Sequence, residues 1–345
     1  MDRILYFGYV VLTSFKHWEK LFSFSKYYSN RLNKPVIFFL KESFAHYLRY
    51  SMHPLDYFYY DIPENSTFKY EDHATTLFMY RFHKVMNDKH FNKYFYNKVL
   101  FNETFKDFRS HKFLNLNKCT IDDLKRWIKE LNQDVLIIKK QKSVGGFGVK
   151  KIKIEFEGEE IFVNGKPIAK AYSYLKRFDL IEEFVQQHDY LNLLNPSCLN
   201  TIRVVTVLHD NEVIVLAAVL RMGVNSDIDN FHSGGIAINV DIKTGQLSGR
   251  GFKLNPSNPK YYDKHPITNI KLDGYQLPHW DLLLDNVTKA ATKIPNARSI
   301  GWDVAITPEG ISLIEGNNDW DKIIIEKALG KGIKKLLETF IPQNS

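Results

Sequence analysis

The chain has 345 residues, 44% hydrophobic and 25% charged, enough for two or three packed lobes and unlike the composition of a disordered protein. Its net charge of +8 comes from Lys and Arg scattered along the whole length without a stripe or motif of the nucleic-acid-binding kind, so no nucleic-acid partner is expected. Cys119 and Cys198 stand far apart in unrelated settings, which argues against a disulfide framework or a cysteine metal site and fits a reducing cytoplasm.

The apolar start, Ile4 to Leu12, is interrupted by Tyr6, Gly8 and Tyr9, is too short to span a bilayer, and leads into no small-residue cleavage site. Residues 1–115 read as a mainly helical accessory lobe, with apolar residues at three-to-four spacing through Trp18, Leu21, Phe22 and through Phe44, Tyr47, Leu48. The first hundred residues hold 27 of the 49 aromatics, with an excess of basic over acidic side chains. That density suits a helical core built from aromatics first, and otherwise a membrane-surface contact or a sugar platform. The expected location is the cytoplasm, extending to the inner face of the membrane under the second reading.

Thr120 is a plausible N-cap for a helix over Ile121–Leu131. From there the pattern turns to strands: Val135–Ile138, Lys151–Phe156, Ile161–Val163, and a hairpin of Asn200–Leu208 with Val213–Leu220 across His209-Asp210-Asn211-Glu212. Between the first two lies Lys139-Lys140-Gln141-Lys142-Ser143-Val144-Gly145-Gly146-Phe147-Gly148. Such a basic, glycine-rich loop lets backbone N–H groups approach phosphate oxygens, although taken alone it equally suits a flexible hairpin tip. Arg203 and Arg221 sit in or at the end of apolar strands, where a guanidinium needs an anion. That anion is either a phosphate or a nearby acid of the same site. A strand over Ile236–Val240, a helix around Leu282–Lys293, and a closing helix over Ile323–Phe340 complete the expected elements.

The most informative segment is Ile300-Gly301-Trp302-Asp303-Val304-Ala305-Ile306, a turn at Thr307-Pro308-Glu309-Gly310, and Ile311-Ser312-Leu313-Ile314-Glu315-Gly316-Asn317. Glu315 and Asn317 share one face of a strand, and the hairpin returns Asp303 beside them. Acids in runs this apolar call for a partner or a metal, and three hard oxygen ligands suit Mg²⁺, whose shell substrate phosphates complete.

Asp303, followed by Glu315 and Asn317 on the next strand, resembles the metal-binding strand pair of the ATP-grasp superfamily, which includes glutathione synthetase, D-alanine:D-alanine ligase and the ribosomal-protein glutamate ligases. Gly301-Trp302-Asp303-Val304-Ala305-Ile306 with Ile314-Glu315-Gly316-Asn317, and Gln187-His188 with Asn200-Thr201-Ile202-Arg203-Val204, are more closely similar to the sugar-transfer-associated ATP-grasp proteins found beside bacterial polysaccharide genes. The resemblance spans roughly the last three quarters of the chain and rests on several ordered motifs.

It implies an α+β ATP-grasp fold, two lobes clasping ATP, with an N-terminal mainly helical accessory lobe over 1–115, a small lobe over 116–190 and a large catalytic lobe over 191–345. It further implies that Lys139 is the phosphate lysine, with Lys140 competing for that role because the family usually has Pro there. Ser143, Gly145, Gly146 and Gly148 become the mobile flap, and Lys89, in Asn87-Asp88-Lys89, an earlier ATP lysine on the small lobe. Leu180–Val185 resembles the adenine hinge, with Glu182 and Glu183 for the adenine amino edge, Phe184 within the extended segment, Val185 as backbone donor and Asp189 for the ribose. His188, Asn200, Asn230, His232, Ser233 and Gly234 fall near the acceptor substrate. Two Mg²⁺ ions, with Mn²⁺ as a substitute, would sit on Asp303, Glu315 and Asn317.

The activity so implied is an ADP-forming carboxylate–amine ligase, in which Lys139, Arg203 and Arg221 act on the transferred phosphoryl group and an amine then attacks an acylphosphate. By analogy the reaction amidates a uronic acid with an amino acid or amino sugar, or attaches an amino acid to a sugar, in capsule or surface-polysaccharide synthesis, with glycosyltransferases as partners. Two other readings are a kinase acting on a sugar hydroxyl and a catalytically silent nucleotide-binding scaffold.

Overall fold

The computed structural model describes residues 8, 10, 12–141, 148–224, 234–256 and 260–342. Two antiparallel sheets organise it. The smaller has six strands: β1 Phe113–Asn115, β2 Val135–Lys139, β3 Val149–Glu157, β4 Glu160–Val163, β5 Lys166–Pro167 and β6 Leu180–Glu183, in the order β1-β6-β2-β3-β4-β5. The larger has seven: β7 Thr201–His209, β8 Glu212–Met222, β9 Ile236–Val240, β10 Leu247–Phe252, β11 Tyr261–Tyr262, β12 Ser299–Thr307 and β13 Gly310–Asn317, in the order β11-β10-β9-β8-β7-β12-β13.

In the small lobe, Leu136, Ile138, Ile152, Ile154 and Ile181 point to one side and pack on Leu124, Ile128, Ala171 and Leu175 of the helices Ile121–Leu131 and Ile168–Leu175. The first helix starts where its sequence says it should. Thr120 Oγ1 accepts from Asp123 N at 3.2 Å and Asp123 Oδ2 accepts from Thr120 N at 3.0 Å, closing a capping box. Because side chains alternate along a strand, Lys139 and Glu182 are left on the opposite face.

Both faces of the large sheet are covered. Ile202, Val204, Trp302 and Val304 lie under the helix Trp280–Thr292 and the aromatics Phe95 and Phe105. On the other face Val205, Val207, Ala217 and Val219 pack with Phe24, Tyr28, Phe39 and Tyr57–Tyr60 of the N-terminal helices and with Ile323 to Ile325 near the C-terminus. The N-terminal helices therefore share a core with the large sheet, and β1, at Phe113, already belongs to the small one.

The β7–β8 hairpin turns through Asp210 and Asn211, with φ of 48° and 65°, the left-handed pair that a two-residue hairpin loop requires. The closing helix expected over Ile323–Phe340 is two, Lys322–Leu329 and Lys334–Glu338. Gly330, with φ of 64°, caps the first, and a side chain at Gly332 would collide with the Asp72 carbonyl.

Candidate active site

Three strands bring the site's acids and arginines to one face. On β12 Asp303 lies opposite Arg203 of β7 and opposite Glu315 of β13, while Gly301 lies opposite Asn317. A bulge follows at once, since Val304 pairs with Leu313 and Ile314 is the extra residue. Without it, the apolar alternation of β13 would turn Glu315 into the Trp302 side of the sheet. Gly301 leaves room beside Asp303, because a Cβ there would fall 2.7 Å from Trp320 Cβ and 3.2 Å from Arg203 Cδ.

Asp303, 1% exposed, is the hub. Arg203 grips it with two bonds, Nε to Oδ1 at 2.5 Å and Nη2 to Oδ2 at 3.0 Å. Arg221 adds Nη2 to Oδ2 at 2.9 Å while Nε donates to Thr201 Oγ1 at 3.1 Å. The alternative of salt bridges to the acids is thus realised for both arginines in this state. Burial works against the Asp303 charge, but Arg203 and Arg221 outweigh it and hold the carboxyl far below the usual range. Glu315 goes the other way: burial raises its pKa, and so do the Asp303 charge and the hydrogen bond between the two acids.

Facing these acids is the polar side of the small sheet. Glu182, 3% exposed, accepts from Asn102 Nδ2 at 2.6 Å and Arg109 Nη2 at 3.1 Å, and pairs with Lys139 Nζ at 2.5 Å. Its burial is more than offset by Lys139, Arg109 and His111, which keep it ionised. Arg109 also donates to the Leu313 carbonyl at 3.0 Å, at the bulge of β13, and His111 Nδ1 lies 2.7 Å from Ser312 Oγ. The segment 109–111 therefore straps the edge of the large sheet to the small one. Lys98 completes the cluster, with Glu315, Lys139 and Glu182 around it. Burial lowers its pKa, and Lys139 lowers it further against the opposing pull of the two acids.

Of the residues singled out from the sequence, Asp303, Glu315, Asn317, Arg203, Arg221, Lys139 and Glu182 come together. Lys139 is the inward lysine. Lys140 is exposed, with its ammonium over the Phe178 ring at 5.8 Å and its N–H on the Gly148 carbonyl at 3.0 Å, where Gly148, at φ 75°, closes the β2–β3 hairpin. Phe184 and Val185 follow β6, and the Phe184 N–H donates to Gln133 Oε1. Asp189 is exposed at the start of the helix Asp189–Leu194. Gly234 has φ of 107° and precedes β9. Ser143, Gly145, Gly146, Asn230, His232 and Ser233 lie outside the described residues.

Three assignments are corrected, those of Lys89, Glu183 and Asn200, and His188 is given a structural role besides the one expected. Lys89 is not on the small lobe: it is exposed on a short turn that Asn87 pins to the large sheet through the Ser299 and Asn318 carbonyls, at 2.9 and 2.6 Å. Glu183 points away from the cleft, its carboxylate taken by Lys112 N and Gln133 Nε2, both at 2.9 Å. Asn200 is fully buried, its amide divided among Gln187 Oε1, the Asn195 carbonyl and Asn195 Nδ2, which makes it scaffold and removes it from any substrate. His188 is a helix N-cap: its Nδ1 accepts from Tyr190 N at 3.1 Å and its N–H donates to the Ile306 carbonyl at 2.9 Å.

The sequence matches the family described as sugar-transfer associated ATP-grasp over residues 74–341. The chain belongs to that family. A search of the curated proteins gives no match. Among solved structures it is similar to the ATP-grasp ligase PsnB complexed with minimal precursor, at 14% identity over 75% of this chain and 63% of that one, with a TM-score of 0.40. Two others are N5-carboxyaminoimidazole synthetase from Staphylococcus aureus complexed with ADP, at 9% identity over 66% and 46% with a TM-score of 0.40, and D-alanine-D-alanine ligase from Helicobacter pylori, at 14% over 72% and 62% with 0.39. This chain spans less than two thirds of the length of each.

This chain, an ATP-grasp member, also gathers Lys98, Asn102, Arg109, His111 and Ser312 around Glu182 and β13, and none stood out in the sequence. Lys89 and Lys98 each follow an Asn-containing turn, so local sequence did not separate them; only the bond from Lys98 N to the Gln141 carbonyl, at 3.2 Å, puts Lys98 beside β2. Lys98→Ala and Lys139→Ala should each weaken nucleotide binding about ten-fold or more, the size of a lost charge-assisted contact. Lys89→Ala and Lys140→Ala should leave it nearly unchanged. Calorimetric titration with a non-hydrolysable ATP analogue checks this, and the reverse ranking would move the nucleotide elsewhere.

Acid should destabilise the fold before the carboxylates titrate. Burial lowers both His111 and His83 to about 4, so each is neutral when folded and must be charged to follow the unfolded chain below its ordinary value. Their native pKa values are depressed, so the unfolded chain binds the proton first and stability falls as pH drops from about 6.5 toward 4, by up to about 3 kcal/mol per histidine. Urea midpoints at pH 7 and 4.5 measure this. Equal midpoints would contradict it, and His111→Asn should remove part of the slope.

Proposed function

We propose that this chain is an ATP-dependent, ADP-forming carboxylate–amine ligase acting on a sugar-linked substrate. The observation that carries the reading is the pairing of a buried acid, Asp303, with the half-buried Glu315, under two arginines and opposite Lys139, Lys98 and Glu182. An ionised Asp303 beside a Glu315 whose pKa it raises forms a site where a divalent cation would let both acids carry their charge. Among the described residues no group of three or more His, Cys, Asp or Glu is placed to hold a metal ion, and the donor set proposed is two carboxylates with the Asn317 amide and substrate oxygens. Asp303, Glu315 and Asn317 would hold Mg²⁺, with Mn²⁺ as a substitute. The ion would supply charge neutralisation for the phosphates.

The chain's own residues do the rest. Lys139 and Lys98 bind phosphate oxygens of ATP, and the hinge after Glu182 receives the adenine. Arg203 and Arg221 steady the γ-phosphoryl group as a substrate carboxylate oxygen attacks phosphorus in line and ADP leaves with the electron pair of the broken P–O bond. An amine then attacks the acylphosphate carbonyl, the amide forms, and phosphate departs toward the same arginines.

The family's association with sugar transfer supports a uronic acid, or an amino acid joined to a sugar, as the carboxylate partner in bacterial surface-polysaccharide synthesis, with glycosyltransferases acting beside it. An ADP-release assay across amino acids, with and without glucuronic or galacturonic acid and their nucleotide-linked forms, tests this with products read by mass. A condensed mass with ADP and free phosphate supports the ligase. A phosphorylated sugar would replace it with a kinase, and tight ATP binding without turnover on lipid-linked acceptors as well would leave a silent scaffold.

A further inference from the structure

Most aromatics of the first hundred residues do build a core: Phe24, Tyr28, Phe39 and the run Tyr57–Tyr60 are buried. The helical segment leading into them carries a second set that is not. Leu12 and Phe15 are 72% and 73% exposed, and Trp18 and Phe22 are 45% and 46% exposed. Residues 12–16 and the helix Trp18–Leu32 run on through His17, whose N–H donates to the Thr13 carbonyl and whose carbonyl accepts from Leu21 N, both at 3.0 Å. Phe15, Trp18 and Phe22 therefore line up at helical spacing along one side, flanking the buried stripe Leu21, Phe24, Ser25 and Tyr28. Val10, buried with Tyr47 and Leu77, anchors the approach to this segment. One exposed apolar side chain is ordinary; a row of four on an anchored helix marks an interaction surface.

Charge selects the occupant. Lys16 and Lys26 are exposed beside the row, and residues 12–50 contain seven Lys and Arg against the two acids Glu19 and Glu42. Two copies meeting through this face would set like charges against each other, whereas an anionic phospholipid surface offers phosphates to the lysines and an acyl boundary to the rings. Among the described residues no helix is long and apolar enough to cross a membrane. We propose that the face formed by Leu12, Phe15, Trp18 and Phe22, with Lys16 and Lys26, seats the protein on an anionic lipid bilayer, the helix lying in the interface plane. This does not depend on the reaction the cleft performs.

The test is co-sedimentation of the full chain with vesicles of phosphatidylcholine alone or mixed with phosphatidylglycerol, at low and high salt. The wild type should bind the mixed vesicles, less so in salt, and Phe15→Ser with Phe22→Ser should weaken binding about ten-fold or more without changing the melting temperature. Lys16→Gln with Lys26→Gln should abolish the preference for anionic vesicles. Trp18 emission, taken as the difference from Trp18→Phe, should shift to the blue with lipid. Brominated acyl chains should quench it, a readout that needs no serine variant. Absence of vesicle binding by the folded wild type, binding unchanged in the serine variant, or self-association that the serine variant abolishes without any lipid binding would each overturn the proposal, the last by making the face a contact between copies.

Discussion

Glu315→Gln will abolish ADP-forming turnover, by roughly 10²–10³-fold or more in kcat, while leaving stability unchanged or slightly raised. The side chain is nearly isosteric and keeps a hydrogen-bonding end toward Asp303, so packing is preserved. What it loses is a charge that the folded protein holds at a cost, because burial and the Asp303 carboxylate both raise the Glu315 pKa. A residue kept against its own stability, in contact with a second acid and within range of Lys98, is what a cation-binding role predicts. Turnover and a thermal melt, measured side by side, decide it. Undiminished ADP release would remove Glu315 from the metal set, and a large drop in melting temperature would make its role structural.

Asp303→Ala should do both kinds of damage. Arg203 and Arg221, with side chains 10% and 15% exposed, would lose the carboxylate they share. Leaving buried guanidinium groups without their anion costs about 3 kcal/mol or more. Activity should vanish as it does with Glu315→Gln, but here the urea midpoint falls too. Adding Arg203→Met removes one stranded charge, so the double variant should lose less stability than the two single changes together. Additive losses would show that Asp303 and Arg203 stabilise the fold independently, contrary to the bidentate geometry.

The two arginines show where reading by residue type stops. An arginine inside an apolar strand must meet an anion, and that much is dictated by desolvation. Whether the anion is a phosphate or Asp303 depends on the register of β7 against β12, which sets Arg203 opposite Asp303, and on the diagonal reach of Arg221 from β8. In the resting chain the acid wins. Lys139 against Lys140 is a similar case: strand alternation makes one of them face inward, but the pairing with Glu182 was needed to say which.

Local chemistry determined a good deal by itself. The helix Ile121–Leu131 begins at its capping box, the β12–β13 hairpin turns at its Pro-Glu-Gly corner, and the β7–β8 pair follows from apolar runs flanking Asp210-Asn211. Each depends on neighbours within a few residues, where capping bonds, turn conformations and side-chain alternation act. Tertiary structure alone decided the members of the cleft that come from afar: Lys98, Asn102, Arg109 and His111, which meet Glu182 and Ser312 across 70 to 200 residues of chain. It also decided that Asn200, polar and the first residue of a motif, bonds Gln187 and Asn195 inside the lobe, and that Lys89 stands apart from Lys139 and Glu182. A buried polar group is paired with whatever the packing brings within hydrogen-bond reach, and sheet order and the bulge of β13 set that reach, not the spacing of residues along the chain.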